Sequence, residues 1–182
     1  MKEQIPKKRL IKKNIGNPPI VDQLEYFKNK SSDKVRMVSE FSHLIEIVLC
    51  FDQHYYERLQ YGDNDGFRNG IDKESIEKLV TKSIKLLFLF SANVNGFSFL
   101  NHNPLSFRAV RIILKTPRNG TMLNVAIETH HLEINKYEIT VKTAMCVDDF
   151  KLSDGQYSIE VGDGYSNLYK FVKKTNELIC SF

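Results

Sequence analysis

The feature that most constrains the fold is a change in the spacing of apolar residues along the chain. Over residues 72–88 they recur every three or four positions, which predicts an amphipathic helix capped by Asp72. From Val110 onward they alternate with polar residues, which predicts strands with one buried face. Residues 117–120 (Pro-Arg-Asn-Gly) predict a turn between the first two of these strands. Helices followed by an antiparallel meander predict an α+β fold.

The same rules predict shorter elements elsewhere. These are helices over residues 20–30 and 53–59 and strands over residues 45–51, 123–127, 137–145, 156–161 and 177–182. In the strand over residues 137–145, regular alternation predicts that Val141, Thr143 and Met145 share one face and that Lys142 lies on the other.

The composition indicates a chain that folds around its own core. It has 182 residues, of which 42% are hydrophobic and 26% are charged, as expected for one domain with or without a tail. No apolar run is long enough to span a bilayer, and the N-terminus lacks the apolar stretch of a secretory signal. The three cysteines have neither disulfide-framework nor zinc-site spacing, which indicates a reducing compartment. We therefore expect a cytoplasmic protein without membrane contact, metal or other cofactor.

The net charge of +4 is concentrated at the N-terminus, because residues 1–13 sum to +5 and the remainder to −1. We predict a flexible basic tail over residues 1–19, ending near Pro18 and Pro19, and a single α+β domain over residues 20–182. Such a tail attracts nucleic acid, acidic proteins or anionic surfaces without reading sequence, and the alternative is a solvated leader that aids solubility. Its candidate RNA-binding residues are Lys7, Lys8 and Arg9.

The predicted helix over residues 53–59 carries a candidate catalytic pair. A spacing of four places His54 and Arg58 on one helical face. Histidine transfers protons near neutral pH and arginine holds anions, so the pair suits phosphate chemistry, although an exposed face without function has the same pattern. Arg68 follows in the next loop as a further candidate. Tyr55 on the same helix is a candidate for stacking on a base, with core packing as the alternative.

The order of these features resembles the RelE/ParE-like superfamily of toxin ribonucleases and their phage-encoded relatives, over about residues 45–145. The order is an apolar strand, the His-x-x-x-Arg helix, an arginine before an Ile-Asp-capped helix, and a meander ending in Tyr-Glu-Ile-Thr-Val-Lys-Thr. The resemblance implies that N-terminal helices pack on a curved antiparallel sheet. It also implies RNA cleavage without a metal, catalytic roles for His54, Arg58 and Arg68, and RNA contact by Lys142.

Three functions follow as expectations. The first is a metal-independent endoribonuclease with RNA as partner, in which a 2′-hydroxyl attacks the adjacent phosphorus, His54 transfers a proton, and Arg58 and Arg68 stabilise the developing charge. The second is a non-catalytic phage or bacterial regulatory protein that inhibits a host enzyme or binds nucleic acid. The third is a structural or assembly protein. An enzyme needs these side chains to converge on a cleft, whereas a binding protein needs an exposed patch.

Two further motifs argue against a metal site. His130 and His131 are adjacent, and neighbouring residues of a regular strand face opposite sides, so they do not bind one ion together. The loop over residues 61–72 matches part of a calcium-binding loop, but Tyr61 occupies the position of the first carboxylate ligand.

Overall fold

The computed structural model describes residues 27–33, 35, 37, 40, 42, 44–61, 71–100 and 110–182, and for residues 58–61 it describes the backbone alone. The elements are β1 (Glu46–Phe51), α1 (Gln53–Tyr61), α2 (Lys73–Asn93), β2 (Val110–Arg118), β3 (Thr121–Glu133), β4 (Lys136–Cys146), β5 (Tyr157–Val161), β6 (Ser166–Val172) and β7 (Thr175–Ser181).

The chain divides between Ser42 and His43 into two units. In the first unit, Phe27 and Val35 exchange two backbone hydrogen bonds of 2.9 Å. Residues 27–30 are not helical, so the predicted helix over residues 20–30 does not extend through them. The predicted tail over residues 1–19 lies outside the described residues. The elements β1 to β7, α1 and α2 all belong to the second unit.

The described strands form one mixed sheet in the order β1-β4-β3-β2-β5-β6-β7. β1 runs parallel to β4 and β5 runs parallel to β2, whereas the other neighbours are antiparallel. The meander β2–β3–β4 is therefore present as predicted, with a turn at Asn119 and Gly120, whose φ angles are +49° and +83°. Both residues tolerate positive φ, which explains why the turn could be read from the sequence.

The predicted fold class is wrong. We expected helices packed on a curved antiparallel sheet, as in RelE-like proteins, whereas the described residues form a seven-stranded mixed sheet with two helices, of which α2 alone is long. The physical reason is that apolar spacing reports which residues form strands but not which strands pair. The β1–β4 pairing joins Glu46 to Lys136, far apart in the chain, and no local signal encodes it.

Helix α2 covers one face of the sheet. Its buried apolar residues are Ile76, Leu79, Val80, Leu87 and Phe90. The strand residues in the same core are Ile112, Leu114, Leu123, Val125, Ile127, Ile139, Val141, Ile159 and Leu168. Because side chains alternate along a strand, Arg111, Ile113, Ala126 and Glu128 project from the opposite face, which we call the outer face.

Residues 147–156 connect β4 to β5 and border the outer face. The Val147 N–H donates to Met122 O at 2.9 Å, and the Gly155 N–H donates to Phe171 O at 2.7 Å. Between these two hydrogen bonds the segment lies beside the outer face, from which Ile113 projects. The Ile113 side chain is only 1% exposed. An irregular segment rather than a second long helix therefore covers part of this face.

Helix α2 begins at an N-cap that is also an ion pair. Asp72 Oδ1 accepts a hydrogen bond from the Ser75 N–H at 2.8 Å, and Oδ2 accepts from Ser75 Oγ at 3.0 Å and from Arg118 Nη at 2.7 Å. The Ser75 backbone and hydroxyl bonds and then Arg118 lower the pKa of Asp72 from 3.8 to about 2. Because the folded pKa is depressed, the stabilisation is complete above the unfolded value and is lost as the pH falls toward 2.

We expect Asp72→Ala to lower the unfolding midpoint in urea at pH 7, and we expect this deficit to shrink between pH 4 and pH 2. Asp72→Asn is the matched control, since asparagine still caps the helix but does not ionise. Equilibrium unfolding at each pH measures both variants. A deficit of Asp72→Ala that is the same at pH 7 and pH 2 would contradict the assignment of this carboxylate.

Candidate functional site

The site begins at an irregularity in β4. Val141 pairs with Ile127 and Thr143 pairs with Ala126, so Lys142 is an extra residue that forms a β-bulge. A bulge resets the alternation of the strand. Thr143 and Met145 therefore lie on the face opposite Val141, and the predicted face of these two residues is wrong.

The bulge directs Lys142 into a row of alternating charges. Its Nζ forms a short hydrogen bond with Asp52 Oδ2 and lies 4.0 Å from Glu128 Oε2. Glu128 Oε1 in turn accepts hydrogen bonds from Arg111 Nε at 3.0 Å and Nη at 2.5 Å. We call Asp52, Lys142, Glu128 and Arg111 the charge row. Its formal charges cancel, so the cation predicted to contact RNA is already paired with carboxylates.

Asp52 links the charge row to helix α1. It directly follows β1, and its Oδ1 accepts a hydrogen bond from the His54 N–H at 2.9 Å, as expected of an N-cap. The hydrogen bond from Lys142, and then the one from the His54 backbone, lower the pKa of Asp52. The carboxylate is therefore held ionised, and the first turn of α1 is fixed beside the bulge.

His54 projects into solvent beside carboxylates. Its side chain is 53% exposed, and its Nδ1 lies 3.5 Å from Glu57 Oε2. A carboxylate orients an imidazole but repels phosphate. For Arg58 the structure describes the backbone alone, and Arg68 lies outside the described residues. The predicted convergence of His54, Arg58 and Arg68 therefore stays a prediction.

Tyr55 belongs to the core. It is 3% exposed, and its hydroxyl donates to Ile71 O at 2.6 Å. Its ring lies 5.0 Å from the Phe51 ring and 5.3 Å from the Tyr56 ring, between centroids. Burial raises the pKa of Tyr55. Stacking on a base would require this packing to open, so the side chain serves to join α1 to the start of α2. The candidate tail residues Lys7, Lys8 and Arg9 lie outside the described residues.

A groove lies on the outer face of the sheet. It has a volume of about 1070 Å³. We call it the outer groove. Its floor includes Arg111, Ile113, Ala126, Glu128 and Thr143, and its wall includes Phe150, Lys151, Ser153, Asp154 and Tyr157. Two members of the charge row therefore lie on its floor, and the segment between β4 and β5 forms one side.

The outer groove was not predicted from the sequence. The alternation in β2 and β3 already placed Arg111 and Glu128 opposite the apolar residues, and that signal could have singled them out. The wall could not be found in this way, because the path of residues 147–156 depends on which strands pair.

An exposed apolar pocket lies at the β3–β4 turn. It has a volume of about 570 Å³ and is lined by Leu44, Ile45 and Ile134 together with the ion-paired Glu46, Glu133 and Lys136. Leu44 is 95% exposed and Ile134 is 87% exposed. Large apolar side chains at such exposure favour contact with another molecule.

The described part of the chain holds no group of three or more residues arranged to bind a metal ion. His130 and His131 are both exposed, and the His131 ring lies 5.6 Å from the Tyr137 ring, between centroids. Most of the loop over residues 61–72, which matches part of a calcium-binding loop, lies outside the described residues.

No family model, curated protein or solved structure matches this chain. Neither of the two described helices combines the length and the apolar character needed to cross a bilayer.

Proposed function

We propose that this chain is a non-catalytic binding protein whose outer groove takes a segment of a partner protein. The observation that carries the proposal is the balance of charge in the groove. Two cations, Arg111 and Lys151, and two carboxylates, Glu128 and Asp154, line the groove, and Phe150 supplies an aromatic surface. Nucleic acid requires an excess of unpaired cations, whereas a polypeptide presents charges of both signs together with apolar side chains.

The pairing of Arg111 and Lys142 with carboxylates supports a protein partner rather than RNA. Arg111 donates two hydrogen bonds to Glu128, and Lys142 is bonded to Asp52. A phosphate would have to displace these carboxylates, which costs the energy of the existing pairs. The exposed pocket beside Leu44 and Ile134 offers a second contact surface of the kind that binding proteins use.

The test changes the groove wall without touching the charge row. The variant is Phe150→Ala combined with Lys151→Glu, and its matched control is Leu89→Ala combined with Lys82→Glu, two exposed residues of α2. A protein captured from nuclease-treated lysate by the wild type is purified and titrated against all three forms. We expect its affinity to fall about tenfold or more for the groove variant and to be unchanged for the control.

Two outcomes overturn this proposal. One is equal affinity of the partner for the groove variant and the control variant. The other is capture from untreated lysate that is absent from nuclease-treated lysate, which would assign the surface to nucleic acid. Equal thermal unfolding midpoints of the three forms show that a loss of affinity is not a loss of fold.

The second candidate function is the metal-free endoribonuclease. The observation that favours it is the exposed imidazole of His54, one turn from Glu57 and anchored through its backbone to Asp52. If His54 transfers the proton, His54→Ala reduces cleavage of total RNA in EDTA by about 10²–10⁴-fold. His131→Ala is the control for loss of an exposed histidine. Intact RNA after incubation with the folded wild type rejects this candidate.

A further inference from the structure

Strand β7 forms one end of the described sheet. It is last in the strand order, and no described strand pairs with its outer side. Residues 175–179 are all exposed, and Leu178 and Ile179 are 56% and 40% exposed. An edge strand with apolar side chains and free backbone groups is a template for another strand.

The direction of the free backbone groups follows from β6. The Phe171 N–H donates to Gln156 O at 2.8 Å and its carbonyl accepts from the Gly155 N–H at 2.7 Å, so both groups point away from β7. Antiparallel ladders alternate between bonded and non-bonded pairs. Phe171 lies opposite Asn176 and Lys170 lies opposite Glu177, so the Glu177 backbone is bonded to β6. Asn176 and Leu178 therefore direct their N–H and carbonyl groups outward.

Glu177 sits between these two outward-facing residues and is the single charged residue of β7. Lys170 lies across from it in β6, but its Nζ is held 5.2 Å from the centroid of the Tyr157 ring. No ion pair joins Glu177 to any other residue in the described part of the chain. The edge thus offers two pairs of backbone groups, and between them lies a carboxylate that forms no ion pair among the described residues.

A second copy of the chain fits this edge poorly. Two β7 strands related by a two-fold axis form four hydrogen bonds when Asn176 of each lies opposite Leu178 of the other. That register places the two Glu177 carboxylates directly opposite one another, in the pair where side chains are closest. Self-pairing in the best-bonded register is therefore opposed by like charge.

We propose that the β7 edge binds an extended segment of a partner protein that runs antiparallel to β7 and places a lysine or arginine opposite Glu177. The backbone groups of Asn176 and Leu178 supply the hydrogen bonds, and Glu177 selects the partner by charge. A pairing of this length buries less than the roughly 800 Å² per partner of a standard interface, so the contact is transient. It shares no lining residue with the outer groove, and the two proposals therefore fail independently.

The chain itself supplies the probe. In the Glu177→Lys variant, β7 presents a cation at the position that the proposal requires. Wild type and Glu177→Lys are each studied alone by sedimentation velocity. The two proteins are then studied as a mixture in which the wild type carries a label. We expect the mixed dimer to have a dissociation constant about tenfold lower than that of either protein alone, since only the mixture pairs unlike charges.

A third variant tests whether the pairing uses the β7 backbone. Leu178→Pro removes an outward N–H that β6 does not use, so the fold tolerates it. Added to Glu177→Lys, it is expected to abolish mixed dimers. The proposal would be overturned if the mixed dimer had a dissociation constant no lower than that of either protein alone. It would also be overturned if the variant carrying Leu178→Pro still formed mixed dimers. Wild type that dimerises alone as tightly as the mixture would assign the edge to a second copy instead.

Discussion

Replacing Phe90 by alanine is expected to lower the free energy of unfolding by about 3–5 kcal/mol. Phe90 is 0% exposed in α2, and its ring lies 6.3 Å from the Phe97 ring and 5.2 Å from the Phe182 ring, between centroids. It therefore ties the helix both to the chain that follows it and to the residue after β7. Truncation leaves a cavity where three elements meet, and none of them can collapse without disturbing the others.

The neighbouring residue provides the control for this prediction. Leu89 occupies the same helix and is 38% exposed, so Leu89→Ala is expected to cost less than about 1 kcal/mol. Guanidinium unfolding monitored by circular dichroism measures both variants. Equal losses would mean that the buried face of α2 has been assigned wrongly.

Removing the carboxylate of Glu128 is expected to lower the free energy of unfolding by about 1.5–3 kcal/mol. The Glu128 side chain is 15% exposed and accepts two hydrogen bonds from Arg111, with Lys142 on its other side. Glu128→Gln keeps the size of the side chain but loses the charge. Asp52 is then the one carboxylate of the charge row, beside the two cations Arg111 and Lys142.

A double-mutant cycle with Arg111→Met isolates the contribution of the pair. The two substitutions are expected to be non-additive by about 0.5–3 kcal/mol, as is usual for residues in direct contact. Glu133→Gln is the exposed control, since its side chain is 68% exposed, and an exposed ion pair contributes about 0–1 kcal/mol. Strict additivity of Glu128→Gln and Arg111→Met would show that the charge row does not act as a unit.

The parts of the fold that the sequence predicted are those that depend on neighbours in the chain. Asp72 was predicted as an N-cap from its residue type and its place before the apolar pattern, and its partner Ser75 lies only three residues away. The turn at Asn119 was predicted from its own residue types. The pairing of β1 with β4 depends instead on how distant segments meet. The order of elements that resembled RelE-like proteins is compatible with more than one pairing, and so it could not fix the sheet.

The candidate site was partly predictable for the same reason. The helix that begins directly after Asp52 and the strand that carries Lys142 were both predicted, and both are present. Their contact depends on the bulge, and the alternation from Tyr137 to Met145 reads as a regular strand, which hides it. The contact of His54 with Glu57 was not predicted, although the two residues lie three apart on the predicted helix.

The bulge in β4 also determines how this strand tolerates a change in length. Deleting one residue from an ordinary strand reverses every side chain beyond the deletion. Deleting Lys142 would leave every other side chain of β4 on its present face. Val141 and Thr143 already face opposite sides and already pair with the consecutive residues Ile127 and Ala126. A chain shortened by this residue would keep its core and lose the contact with Asp52. Lys142 is thus an addition to a complete strand, and β3 and β4 would pair without interruption in its absence.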